Sequence, residues 1–164
     1  MRIAVYPGSF DPISNGHLDI IKRSSQIFDK VYVLVSINIS KKYMFDSNER
    51  EHMMKIATKE LNNVFVEQSS DLVLHFAKKK NANVIIRGLR SMNDYQHEIT
   101  LFQFNRSIDS TIDTFILFPS ADNLFLSSSS IKELVMFNED ISNYVPKSLV
   151  TYITTEIKKR IGNI

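Results

Sequence analysis

A chain of 164 residues that is 43% hydrophobic and 23% charged holds enough apolar material for one substantial core, and reads as a single domain over residues 1–164. The lack of cysteine excludes disulfides, thiolate nucleophiles and cysteine-ligated zinc, so any chemistry must use histidine, lysine, arginine, hydroxyls or carboxylates. A net charge of +2 carried by scattered basic residues argues against nucleic acid as a partner, because that needs a dense basic stripe with interleaved aromatics.

The chain opens Met1-Arg2-Ile3 and enters an apolar stretch that Pro7-Gly8 interrupts. That stretch is too short for a signal peptide or a membrane span, so a cytoplasmic protein with no membrane partner is expected. Ile3 to Tyr6 reads as the first strand, and Leu18, Ile21 and Phe28 mark one face of the helix after it. Val31 to Ile37 is the second strand. Asp46 with Glu49 forms a capping box that opens a helix running to about Leu61. Val64 to Val66 comes next as a strand, then Leu72 to Lys80 as a helix, Val84 to Ile86 as a strand, and Asp94 to Ser107 as a helix. Thr114 to Phe118 is the last strand. A helix then starts near Ser129, and Pro146 stands in the first turn of the final one.

Strands that alternate with helices and are apolar on nearly every residue predict an α/β fold: a doubly wound parallel sheet of about five strands, Rossmann-like, with C-terminal helices. Lys78-Lys79-Lys80 and Lys158-Lys159-Arg160 fall at predicted helix ends, where solvated cations complement the macrodipole.

In such sheets ligands bind beyond the carboxyl ends of the strands. Pro7 to Asp11 follows the first strand, Asn38 to Lys42 the second, Arg87-Gly88-Leu89-Arg90 the fourth and Pro119 to Ser130 the fifth. Of only four glycines, Gly8, Gly16 and Gly88 fall in these connections, where the backbone must turn tightly or come close to a ligand.

Ser14-Asn15-Gly16-His17 leads into the first helix, whose N-terminal N–H groups suit a phosphate, and His17 adds a side-chain donor there. Lys41 and Lys42 after the second strand, with Arg87 and Arg90 after the fourth, are expected at the same sheet edge. Four such positions on one rim would repel unless an anion, here a polyphosphate, were bound. For Arg87 and Arg90 the competing reading is a salt bridge with Asp94 or Glu98. Capping explains one serine of Ser127 to Ser130, and the others can present hydroxyls to a triphosphate. The chain has no G-x-S-x-G elbow, H-E-x-x-H signature or GxxxxGK[ST] loop. Direct transfer between bound substrates is the reaction type left.

Tyr6 to His17, Ile86 to Arg90 and Phe125 to Ser129, with Ser40-Lys41-Lys42, Met44-Phe45 and Glu49-Arg50 between them, resemble the phosphopantetheine adenylyltransferase family of the nucleotidyltransferase superfamily. Ser14 stands where the superfamily's H-x-G-H signature has its first histidine. The resemblance covers nearly the whole chain. It implies transfer of AMP from ATP to 4'-phosphopantetheine, giving dephospho-coenzyme A and pyrophosphate, with Mg2+ held by the ATP phosphates and not by protein side chains. By the same resemblance the catalytic residues are His17, Lys41 and Arg90. ATP is contacted by His17, by Ser9, by Phe10 through its backbone, by Gly88, Leu89, Arg90 and Glu98, and by Asn123, Leu124, Phe125, Leu126, Ser127, Ser128 and Ser129. Ser9, Lys41, Val73 and Arg87 hold the pantetheine substrate. A homohexamer, and coenzyme A as an inhibitor, are further implications.

Two departures stand out. Ser9 replaces a threonine common in the family and keeps its hydroxyl. Asn123 replaces an aromatic of many relatives, which shifts packing over the nucleotide to Phe125 or to the backbone. The alternatives are a sister nucleotidyltransferase with another phosphate acceptor, such as glycerol phosphate or nicotinamide mononucleotide, and a nucleotide-binding module without chemistry.

Overall fold

Five parallel strands form the centre of the computed structural model, which describes residues 1–162. They are β1 (Ile3–Gly8), β2 (Lys30–Ser36), β3 (Val64–Ser69), β4 (Val84–Gly88) and β5 (Asp113–Leu117), in the spatial order β3-β2-β1-β4-β5. The register sets Ala4 between Val31 and Val84, and Val5 between Tyr32 and Ile85. The helices are α1 (Asn15–Ile27), α2 (Ser47–Thr58), α3 (Val73–Lys79), α4 (Met92–Ile108), α5 (Ser128–Met136) and α6 (Val150–Ile161).

The two-residue period of the strands divides the core. Ala4, Tyr6, Val31, Val33, Val35 and Ile86 pack with Ile20 and Ile21 of α1, Met53 and Met54 of α2, Ile131 of α5 and Ile153 of α6. Ile3, Val5, Leu34 and Ile85 pack on the other side with Leu74, Phe76 and Ala77 of α3. The doubly wound expectation holds. Burial on both faces does not extend to the edges of the sheet: Phe65 on β3 and Phe115 and Ile116 on β5 are exposed, because each edge strand has a neighbour on one side only.

Helix starts follow their caps. Ser14 accepts from the N–H of His17, Ser127 from that of Ser130, and Asp46 and Glu49 bond each other's backbone reciprocally. Helix α1 therefore begins at Asn15, which places His17 inside the first turn. Helix α2 ends at Thr58, short of Leu61, where the Thr58 hydroxyl donates to the Met54 carbonyl. Pro146 has an extended ψ of 132° and precedes a 3-10 turn, Lys147–Leu149, so it stands outside the first turn of α6.

The first basic run is paired and not merely solvated, and so is Arg160 of the second. Lys78, Lys79 and Lys80 meet Asp109, Asp71 and Glu67. Arg160 bonds the Met44 carbonyl, Glu49 and Glu156 and stacks over Phe45, which fastens α6 to the start of α2.

From β1 the chain leaves to α1 on one face, and from the adjacent β4 it leaves to α4, which with α3 lies on the other. This is the point where a crevice opens in a doubly wound sheet.

Candidate active site

The crevice between the ends of β1 and β4 is a cleft walled by Tyr6, Pro7 and Gly8 of β1, Gly16, His17 and Ile20 of α1, Arg87 and Gly88 of β4, and Arg90, Asp94, Glu98, Pro119 and Leu126. His17 is fixed in it by its cap. The Ser14 backbone N–H donates to His17 Nδ1 at 3.0 Å, and the Ser14 hydroxyl lies 3.1 Å from the same nitrogen. A nitrogen that accepts an N–H carries no proton, so the imidazole proton sits on Nε2. Below the ring the buried Phe10 meets it edge-on, with centroids 5.1 Å apart at 87°. Burial, and secondarily the charge of Arg90, lowers the His17 pKa to about 4. His17 is thus a neutral donor and adds no cation to the rim.

Arg87 and Arg90 reach the cleft already compensated. Arg87 Nε and Nη2 each donate to Glu98 at 2.6 Å, and the Glu98 carboxylate is buried. Arg90 donates through Nε to Asp94 at 3.2 Å and through Nη1 to the Leu126 carbonyl at 2.7 Å. The salt-bridge reading of both arginines is therefore realised. Repulsion among unpaired cations does not argue for an anion here. What remains is a wall of guanidiniums whose outer donors face the space beside His17.

Gly8 and Gly88 serve close approach rather than turning, and none of the described glycines has a positive φ. A methyl group at Gly8 would fall 2.6 Å from the Phe10 ring, and one at Gly88 2.6 Å from Ile20 Cδ1. Both are the last residues of strands, and Gly16 lies within α1, so the connections themselves contain none of them. The left-handed residue of this region is Phe10, with φ 51°.

A second cavity shares Pro7, Arg87 and Glu98 with the first and continues between α3 and α4, lined by Leu72, Val73, Ile85, Leu101, Phe102, Asn105 and Thr114. Its walls are largely apolar and end at the Arg87–Glu98 pair.

The other expected site residues divide. Leu126 lines the cleft, and Leu89 is buried beside it with its N–H on the Leu117 carbonyl. The Asn123 carbonyl would sit 3.5 Å from a methyl group on Gly16, and its amide donates to the Ser120 hydroxyl. Leu124 and Phe125 are exposed. Phe125 turns edge-on to Tyr144 and lines a groove with Leu134 and Phe137, away from the cleft, so it does not take over the packing that Asn123 lacks. Ser127 and Ser130 bond each other at the α5 cap, Ser128 donates to the Pro12 carbonyl, and Ser129 is exposed.

Ser9, Lys41 and Lys42 are not among the cleft's walls. Lys41 and Lys42 stand exposed on a loop that closes on itself, with Ser40 bonded to the Asn38 side chain and the Lys41 N–H to the Asn38 carbonyl. The convergence expected from the sequence narrows to His17, Arg87 and Arg90. Tyr6, Ile20, Asp94 and Pro119 in the cleft, and Leu101, Phe102 and Asn105 in the second cavity, are among the wall residues not expected from the sequence as ligand contacts. For the α4 members the signal existed: positions 98, 101, 102 and 105 share one helical face.

Residues 5–134 match the cytidylyltransferase-like family. The chain is 43% identical over 157 residues to a phosphopantetheine adenylyltransferase of Clostridium beijerinckii, covering 96% of this chain and 99% of that one. The corresponding protein of Nautilia profundicola is 44% identical over 90% of this chain and 96% of its own, and that of Clostridium tetani 46% over 92% and 94%. This chain belongs to the phosphopantetheine adenylyltransferase family. A solved structure described as a nicotinate-nucleotide adenylyltransferase of Vibrio parahaemolyticus superposes with a TM-score of 0.64 over 99% of this chain and 93% of its own, at 19% identity. That likeness speaks for the fold. The cleft of this family member carries the imidazole of His17 and the guanidiniums of Arg87 and Arg90.

Proposed function

We propose that this chain transfers the adenylyl group of ATP to 4'-phosphopantetheine, forming dephospho-coenzyme A and pyrophosphate in coenzyme A biosynthesis. The observation that carries the reading is a two-chambered site: a cleft with the His17, Arg87 and Arg90 donors and an apolar cavity, which share the Arg87–Glu98 wall. Such a space suits a nucleotide triphosphate on one side and a slender amide arm on the other.

In the proposed reaction an oxygen of the acceptor phosphate attacks the α-phosphorus of ATP. A new P–O bond forms, the bond to the α–β bridging oxygen breaks, and pyrophosphate departs with that electron pair. The acceptor is already an anion, so no general base is needed and the protein's task is alignment and charge stabilisation. The Nε2 proton of His17 and the Arg90 guanidinium supply donors to oxygens whose charge grows in the transition state. Ser9 and Lys41 would hold the acceptor phosphate, Lys41 by bringing its loop over the cleft. Arg87 and Val73 would take the pantetheine side, and Gly88 to Arg90, Glu98 and 123–129 the nucleotide.

Asp94 and Glu98, the carboxylates of the cleft, are committed to arginines, and among the described residues no three acidic or histidine side chains are grouped to hold a metal. In the proposed reading Mg2+ would arrive on the phosphate oxygens of ATP. When bound, the ion would supply positive charge to offset that of the departing pyrophosphate, beside the donors of His17 and Arg90.

A homohexamer and inhibition by coenzyme A belong to the same reading. The outer surfaces of α4 and edge strand β5 support the first: Met92, Phe104 and Ile108 with Phe115, Ile116 and Phe118 are exposed, apolar groups that association would take out of water. Coenzyme A would compete through the pantetheine arm and adenylate that it shares with the product. The reaction is placed in the cytoplasm, where ATP is supplied; no described helix is long and apolar enough to cross a membrane.

The test is pyrophosphate release from protein, ATP and magnesium, with each acceptor in turn. Release is expected with 4'-phosphopantetheine alone. Release with glycerol phosphate or nicotinamide mononucleotide instead would assign a sister activity, and ATP binding without release would leave a nucleotide-binding module.

A further inference from the structure

Behind the cleft lies a guanidinium that forms none of its wall. Arg50, in the first turn of α2, is 1% exposed. Its Nη1 donates to the Ser9 carbonyl at 2.7 Å and to the Ser36 carbonyl at 3.1 Å, so one nitrogen spans the residue just after β1 and the last residue of β2. The same guanidinium lies flat against Tyr43, 3.8 Å from the ring centroid. The Tyr43 hydroxyl in turn accepts from the Asn38 N–H and donates to the Ser36 carbonyl. Both ends of the loop that carries Lys41 are thereby tied to Arg50. Asp11 fixes the chain just beyond Tyr43, accepting from the Met44 and Phe45 N–H groups and from Lys132.

These bonds are poorly suited to stabilising the fold alone. Among the described residues Arg50 forms no ion pair, and its Nε is buried without a partner. Burial lowers the Arg50 pKa, the direction expected of a cation that loses hydration. An incompletely paired buried charge is commonly no more stabilising than an apolar side chain of its volume. What it does provide is a fixed fork between two strand ends and a loop.

We propose that Arg50 is a positioning residue for the acceptor-phosphate subsite: by holding the Ser9 and Ser36 carbonyls and the Tyr43 ring, it sets the spacing of Ser9 from Lys41. The inference rests on the reading that Ser9 and Lys41 hold that phosphate.

Steady-state kinetics with ATP and 4'-phosphopantetheine varied separately, together with thermal melting, would test it on Lys41→Ala, Arg50→Lys, Arg50→Met and Tyr43→Phe. Lys41→Ala addresses the underlying reading and is expected to raise the acceptor KM. Arg50→Met should then raise the acceptor KM about tenfold or more, the scale of a lost charge-assisted hydrogen bond, with the KM for ATP nearly unchanged. Arg50→Lys, which keeps the charge and loses the fork, should fall between. Tyr43→Phe keeps the stacked ring and removes the hydroxyl link; it should raise the acceptor KM less, without lowering the melting temperature, and it carries the test if Arg50→Met does not fold. An unchanged acceptor KM in Lys41→Ala overturns the subsite reading and the inference with it. A raised one beside flat Arg50 and Tyr43 variants overturns the inference alone, as does a parallel loss for both substrates that tracks melting temperature.

Discussion

His17 has its Nε2 proton free to donate because its other ring nitrogen is occupied by the backbone of its own N-cap residue. Losing one such preorganised donor costs on the order of a hundredfold in rate. His17→Ala should therefore lower kcat by about that factor with a smaller change in KM. Because burial holds the imidazole pKa near 4, its contribution should show no step around the ordinary histidine value of about 6.5. The unfolded chain binds this proton more readily than the folded one, so stability is complete above pH ~6.5 and declines as the pH falls towards 4. A pH–rate profile and melts across that window check both. The placement of His17 at a helix start was legible in Ser14 to His17, since capping residues advertise themselves. Its neutrality was not, because that depends on Phe10 beneath it and Arg90 beside it, both brought there by the fold. The carboxylate partners of Arg87 and Arg90 were visible as alternatives, and spacing alone could not say that both would form.

Helix α4 is the element on which the two cavities depend. Of its described residues only Glu98 is buried, yet Asp94 and Glu98 face the cleft, and Glu98, Leu101, Phe102 and Asn105 the second cavity. Glu98→Gln keeps the shape and removes the charge opposite Arg87. It should lower stability by roughly 1–3 kcal/mol, the cost of leaving a partly buried charged group poorly satisfied, and raise KM for both substrates together. Melting curves and two-substrate kinetics would show it. Strands and helix order were readable from β-branched runs and caps, with bounds off by a few residues where a cap or a proline's ψ decided. The inner face of α4 went unread as a ligand wall because its apolar residues look like core until the sheet edge leaves them a space to line.

On the scale of the molecule, the exposed α4 and β5 surfaces are where the proposed assembly can be tested. Replacing Met92 and Phe104, both far more exposed than core residues, with serine or lysine should shift the assembled protein towards smaller species in light scattering, with the secondary structure retained. The doubly wound sheet was legible from alternation alone. Which residues meet at its crevice was less so: His17, Arg87 and Arg90 gather, and Lys41 stays on a loop whose own hydrogen bonds hold it outward. The partition made by Arg87 and Glu98 has one more implication. Since each chamber ends on that same pair, a single molecule reaching through both would bring its second half to an effective concentration set by a short tether. Covalently joined adenylate and pantetheine fragments would thus bind far more tightly than either piece, and loosening the partition would cost the joined compound more than the separate ones.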